Sequence, residues 1–376
     1  MIIERTVKQQ IKKALDLGQL VIVIYGPRQS GKTTLIKSIT DEMSVQPFSR
    51  NGDDLFTQKE FSTWELSALK SIIGDNKLIV IDEAQRIANI GIILKLLVDN
   101  LSVTIIASGS SSFDLANKIN EPLTGRSQTI LLYPFSYQET KINYQQTLPE
   151  TALEEMMTFG MYPKVFQLTS KEEKENYLYN LLNNYLYKDI LNFENIKKPK
   201  VVVDLLSLLA LQIGKEVSVA ELAQNLAISQ KTVEIYLGLL EKMFVIFNLR
   251  GFSRNLRKEI YKTSKYYFLD VGLRNALIRN FNPLDIRQDK GELFENWFIV
   301  ERMKFLNNNN HRANLYFWRT YDQQEIDLIE EKEGVITGFE CKWSKNKVKI
   351  PQEFLDTYKN AKYQIINQEN YLDFIT

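Results

Sequence analysis

Gly26-Pro27-Arg28-Gln29-Ser30-Gly31-Lys32-Thr33 sets two glycines four residues apart, with a lysine and a hydroxyl directly after the second. These residue types in this order suit the cradling of a polyphosphate. The glycines let backbone N–H groups turn inward, and a helix beginning at the second glycine directs its positive end at the anion. Lys32 would reach the β- and γ-phosphates, and Thr33 would offer its hydroxyl to Mg2+, with Thr34 completing the binding stretch. A glycine turn with an incidental lysine is the plain alternative, and it does not explain why the run falls between an apolar stretch and a helical one.

Ile79-Val80-Ile81-Asp82-Glu83 ends a second apolar run in two carboxylates. Such a pair is often a solvated cap. At this distance after a phosphate-binding loop it suits a metal site, with Asp82 holding magnesium through water and Glu83 orienting or deprotonating the attacking water. A third run ends in Ser108-Gly109-Ser110-Ser111, where the Ser110 hydroxyl would sense the γ-phosphate or simply close a polar turn. Arg126, in Leu123-Thr124-Gly125-Arg126, would supply positive charge to a transition state or stand as a surface arginine.

Positioning these groups needs buried strands that all end at one edge. Apolar runs at residues 20–25, 77–81, 103–107 and 130–133 read as such strands. Helical patterns at residues 4–17, 33–39 and 87–98 separate them, so a mostly parallel sheet covered on both faces is expected over residues 1–165. The residues quoted above, with Ala84-Gln85 directly after Asp82-Glu83, together resemble a group of bacterial and archaeal AAA-type ATPases whose usual C-terminal partner is a domain of unknown function. That partner is echoed by Phe268-Leu269-Asp270-Val271-Gly272-Leu273-Arg274, by residues 291–296 and by Phe317-Trp318-Arg319. The resemblance spans nearly the whole chain and implies ATP hydrolysis with Mg2+, the glycine-lysine loop and the Asp82-Glu83 pair being the Walker A and Walker B elements.

Residues 166–270 read as a helical region. Residues 219–226, a short turn at Ala227-Ile228-Ser229 and residues 230–240 have the layout of a helix-turn-helix, with Ser229 as N-cap. Residues 250–265 then carry Arg250, Arg254, Arg257, Lys258, Lys262 and Lys265 against Glu259 alone, a local balance of +5. A basic wing of this kind suits contact with DNA phosphates, and a packing or lid module is the alternative.

Residues 271–376 hold a second constellation. Glu295 falls on a helix expected over 292–306, Asp327 in Glu325-Ile326-Asp327, and Glu340 and Lys342 at a strand end. Positions 340 and 342 share one face of a strand, with Cys341 on the other. Two carboxylates and a lysine converging there would hold a metal ion and position water for phosphodiester attack. The order resembles nucleases of the PD-(D/E)xK type with a restriction-endonuclease-like fold, Ile326-Asp327 replacing the usual Pro-Asp pair. Strands are expected at residues 315–318, 326–329, 335–340 and 361–366.

Composition limits the remaining chemistry. A chain of 376 residues with 44% apolar and 25% charged side chains is globular and long enough for two or three domains. With 47 Lys and Arg against 46 Asp and Glu, no overall field drives it onto nucleic acid, so any such surface must be local. Single Cys341 and single His311 exclude an intrachain disulfide and a clustered Cys/His zinc site, and argue against a serine or cysteine hydrolase with a histidine base. With no signal peptide and no long apolar run, a soluble cytoplasmic protein is expected. Its expected partners are DNA or RNA, another protein or further copies of itself, and no membrane.

Overall fold

A computed structural model describes residues 3–43, 46–110, 123–141, 149–183, 198–252, 264–320, 324–344 and 350–376. The chain falls into two compact units: one formed by residues 1–134 with 242–244, the other by residues 135–241 with 245–376.

The first unit is built on a five-stranded sheet in the order β2-β3-β4-β1-β5, comprising β1 (Val21–Tyr25), β2 (Phe48–Asn51), β3 (Leu78–Asp82), β4 (Thr104–Gly109) and β5 (Ser127–Leu131). Every neighbouring pair is parallel, so all five strands end at the same edge. The reason lies in the sequence. β1 is apolar at every position and buried throughout, which only a strand covered on both faces requires. On one face Ile22, Ile24, Val80 and Ile106 pack against Ile11 of α1 (Lys8–Leu17) and against Leu35, Ile36 and Ile39 of α2 (Lys32–Glu42). Val23, Ile79, Ile81 and Ile105 alternate onto the other face and are also buried, as are Ile93, Leu94 and Leu97 of α3 (Ile90–Leu101).

Two strands differ from expectation. β2 is an edge strand of polar sequence, Phe-Ser-Arg-Asn, too short and too mixed to stand out as an apolar run. β5 begins at Ser127, three residues before its apolar part, because its backbone is paired with β1 from Val21 onward.

The second unit carries a seven-stranded mixed sheet in the order β12-β11-β10-β9-β7-β8-β6. Its strands are β6 (Glu216–Val217), β7 (Ile246–Gly251), β8 (Ser264–Phe268), β9 (Asn314–Arg319), β10 (Glu325–Lys332), β11 (Val335–Cys341) and β12 (Lys362–Ile366). The expected helix-turn-helix is present as α4 (Val219–Leu226) and α5 (Gln230–Lys242). Ala227 closes α4 in the left-handed region at φ 50°, and Ser218 and Ser229 accept hydrogen bonds from the N–H groups of Glu221 and Thr232. The antiparallel pair β7–β8 follows it.

By its contacts the second unit runs across residues 165/166 and 270/271. β7 runs parallel to β9, pairing Arg250 with Tyr316 and Gly251 with Phe317, so the strands on either side of residue 270 complete one sheet. The boundary near residue 134 follows the end of β5. Much of the basic run, Arg254, Arg257, Lys258 and Lys262, lies outside the described residues, as do Ser111 and residues 184–197 of the expected helical stretch. Among the described residues no helix is long and apolar enough to cross a membrane.

The long helix α6 (Lys290–Asn308) anchors the start of this unit. Glu301 accepts from the Tyr137 N–H at 2.6 Å and pairs with Lys304 at 2.7 Å, and Lys304 donates to the Phe135 carbonyl at 3.0 Å. Both side chains are about 1% exposed. Glu301→Leu strands a buried ammonium and a buried N–H, so the unfolding free energy is expected to drop by about 3–5 kcal/mol. Urea denaturation measures this, and a loss below about 1 kcal/mol, the value of an exposed pair, would contradict it.

Candidate active site

Because the first sheet is parallel, β1, β3 and β4 deliver residues 26–33, Asp82 and Ser110 to one edge, the place where open α/β sheets bind ligands. Gly26 lies where a Cβ would stand 2.1 Å from the Leu132 carbonyl oxygen, so only glycine admits this approach of the chain after β5. The backbone then turns through left-handed conformations at Gln29 (φ 61°) and Gly31 (φ 95°), and α2 begins at Lys32. The Lys32 ammonium is buried and donates to the carbonyls of Gly26 and Pro27 at 3.0 and 2.9 Å. Ser30 is fully buried, and its hydroxyl has no hydrogen-bond partner among the described residues. Thr33 and Thr34 are exposed on the first helical turn, and Arg28 is half-buried.

Asp82 ties three elements together. Its Oδ2 accepts from the Thr33 hydroxyl at 2.6 Å, and its Oδ1 accepts from the Ser108 hydroxyl and from the Glu83 N–H at 3.0 Å. Glu83 holds an uncommon left-handed backbone (φ 48°), and its Oε2 accepts from Gln85 Nε2 at 2.6 Å and from the Ser110 hydroxyl at 3.3 Å. Gly52, at the end of β2, donates its N–H to the Asp82 carbonyl at 2.8 Å, and a Cβ there would lie 2.3 Å from the Glu83 carbonyl oxygen. The residues fit magnesium and a polyphosphate. The hydroxyl and carboxylate of Thr33 and Asp82 are hard oxygen donors in mutual contact, and the turn bearing the unpartnered Ser30 hydroxyl presents its left-handed backbone beside them.

Arg126 does not join this group. Its carbonyl accepts from the Val21 N–H, level with the start of β1, and its guanidinium pairs with Asp99. One five-residue strand, roughly 16 Å, separates it from the glycine-lysine loop, so it lies at the opposite edge of its own sheet. Conversely, Ser108 and Gln85 stand in the motifs quoted above without a role of their own, and Gly52 does not stand in them at all. Strand alternation puts Ser108 on the face shared with Ser110, and Gln85 stands within the Asp82-to-Gln85 run, so both had a local signal. Gly52 had none, since the carbonyl that excludes its Cβ comes from another strand.

In the second unit Glu295, Asp327, Glu340 and Lys342 do converge, with Lys265 and Glu325 added. Lys342 pairs with Glu340 at 2.6 Å, as their shared strand face requires. Asp327 Oδ2 accepts from the Cys341 N–H at 2.8 Å, and Glu295 Oε1 accepts from the Tyr267 hydroxyl at 2.6 Å. Lys265 was counted above with the basic wing. Its ammonium is instead 1% exposed, in contact with Glu325 and 3.4 and 3.8 Å from Glu295 and Asp327, where it is closed to phosphates.

Burial, reinforced by the Asp327 charge, pushes Glu295 up to about 8 and Glu340 up to about 7, and burial also raises Asp327. Burial pulls Lys265 the other way, but the surrounding carboxylates outweigh it and raise it overall. Among the described residues no group of three or more His, Cys, Asp or Glu is arranged to hold a metal ion.

Residues 18–141 match the family model of an AAA domain, and the parallel sheet and loop described above give this stretch a P-loop fold. Residues 150–284 and 290–373 match two domains of unknown function, DUF8612 and DUF4143. An uncharacterized protein of Mycobacterium tuberculosis is 28% identical over 348 residues, covering 91% of this chain and 74% of that one. An uncharacterized protein of Methanocaldococcus jannaschii is 25% identical over 369 residues, covering 92% and 80%. Among solved structures, the Walker-type ATPase PabY2304 of Pyrococcus abyssi shares the fold with a TM-score of 0.53 at 17% identity, covering 74% of this chain and 96% of that one.

The raised carboxyls generate a pH dependence. Glu295 and Glu340 keep protons in the folded chain at pH values where the unfolded chain has released them, so unfolding releases protons and stability falls as pH rises from about 4.5 to about 8. Thermal unfolding of wild type against Glu295→Gln isolates the Glu295 part: the wild type is expected to lose stability relative to the variant between about pH 5 and pH 8. A constant difference across that range would contradict the assignment.

Proposed function

We propose that the first unit binds ATP with Mg2+ and hydrolyses it. The observation that carries this reading is the contact of Thr33 and Ser108 with Asp82 beside a P-loop, with Glu83 next in the chain. The AAA domain match and the fold shared with a Walker-type ATPase support it.

In this reading Lys32 exchanges the carbonyls of Gly26 and Pro27 for oxygens of the β- and γ-phosphates, and the N–H groups of the loop take the rest. Thr33 and Asp82 would hold magnesium, which would neutralise charge on the phosphates. Glu83 accepts a proton from water as the water oxygen bonds to the γ-phosphorus. The bond from that phosphorus to the bridging oxygen breaks, and ADP leaves with the electron pair. Lys32→Ala is expected to abolish ATP binding, measured with a fluorescent ATP analogue. Glu83→Gln is expected to retain bound ATP while phosphate release falls ~100-fold or more. Wild-type turnover by Glu83→Gln would remove Glu83 from this role.

The finer reading is that turnover controls a nucleic-acid-binding second unit, the helix-turn-helix followed by the β7–β8 pair resembling a winged helix that contacts DNA or RNA. A silent C-terminal site is favoured over a nuclease, because Lys265 already supplies the positive charge that a metal ion would bring to Glu295 and Asp327, and Lys342 pairs with Glu340. ATP-switched assembly, as a homo-oligomer or on a protein partner, is the alternative to nucleic-acid binding. Incubation with DNA and RNA substrates and Mg2+ or Mn2+ is expected to leave them intact. Cleavage that disappears in Asp327→Ala would establish the nuclease reading instead.

A further inference from the structure

Glu83 departs from β3 in a left-handed conformation, so no ladder of strand hydrogen bonds extends to it, and its side chain must be aimed by other means. Gln85 supplies them. It lies two residues on, in the short 3-10 turn Ala84–Arg86, and folds back so that Nε2 is 2.6 Å from Glu83 Oε2. The same nitrogen is 3.3 Å from the Ser110 hydroxyl, which itself donates to Oε2 at 3.3 Å. Gln85 and Ser110 are 7% and 6% exposed, whereas Glu83 is more open to solvent. One carboxylate oxygen therefore has two donors, while Oε1 has no hydrogen-bond partner among the described residues.

We propose that Gln85 is a positioning residue for ATP hydrolysis: its side-chain amide fixes one oxygen of the Glu83 carboxylate against Ser110, so that the other oxygen meets the attacking water. This rests on the reading of Glu83 as the base. Glutamate has three rotatable bonds, and in an open site its carboxylate samples orientations that miss the water. A bond to a buried amide removes that freedom before the reaction, and misplacement by about 1 Å can cost ~100-fold in rate. The chemistry is unchanged by the amide, which exchanges no proton. Its effect should appear in kcat and be absent from binding.

Phosphate release and binding of a fluorescent ATP analogue are measured for the full chain as wild type, Gln85→Met, Gln85→Ala, Glu83→Gln and the Glu83→Gln, Gln85→Met double variant. Methionine keeps the volume and removes the amide. The expected result is a kcat reduced ~10–100-fold in both Gln85 variants, with ATP affinity within about threefold of wild type. In the Glu83→Gln background Gln85→Met should cost nothing further, because it acts only through the carboxylate.

Wild-type kcat in both Gln85 variants would overturn the proposal while leaving ATP hydrolysis intact. So would an equal loss in both backgrounds, or loss of ATP binding in both variants, either of which would make Gln85 a structural residue. Absence of turnover in the wild type itself would overturn the hydrolysis reading and the proposal with it.

Discussion

Asp82 is the junction on which the first unit depends. A carboxylate at the end of a strand would ordinarily be hydrated, yet this one is held by hydroxyls from two other elements, Thr33 on α2 and Ser108 on β4. Those bonds fix the helix after the loop, the central strand and its neighbour in one register. Charge-assisted bonds of this kind are short and about twice as strong as neutral ones, so the geometry is set before any ligand arrives. The glycines serve the same junction. Gly26 lets the chain after β5 lie against the loop, and Gly52 lets the end of β2 close on the Asp82-Glu83 peptide.

A different balance governs the second unit. Glu295, Glu325 and Asp327 lie close together under little solvent, an arrangement that would be untenable if all were ionised and unpaired. Lys265 offsets this from β8, and proton uptake by Glu295 offsets more of it. Residue types that suit metal-assisted hydrolysis are here held against one buried lysine.

Much of this was legible in the sequence where the signal is local. The loop at Gly26 to Thr33, the Asp82-Glu83 strand end, the helix-turn-helix and the alternation linking Glu340 to Lys342 each depend on spacing within a few residues, and the structure has them there. What escaped depends on distant pairing. β2 lacks an apolar run, Lys265 looked like one of six wing cations until β8 carried it into the carboxylates, and Arg126 follows a turn whose sheet edge is set only by the register of β5 on β1. The joining of the strands on either side of residue 270 lay hidden for the same reason, since the parallel β7–β9 pairing links segments 66 residues apart and has no local mark.

The most direct measurement is a crystal structure of the Glu83→Gln protein grown with ATP and magnesium. Lys32 should be turned from the Gly26 and Pro27 carbonyls onto the terminal phosphates, with a magnesium ion bound by the Thr33 hydroxyl, Asp82 behind it, and a water between the γ-phosphate and residue 83. A nucleotide bound elsewhere, or Lys32 still fastened to those two carbonyls beneath it, would rule out this loop as the site of hydrolysis.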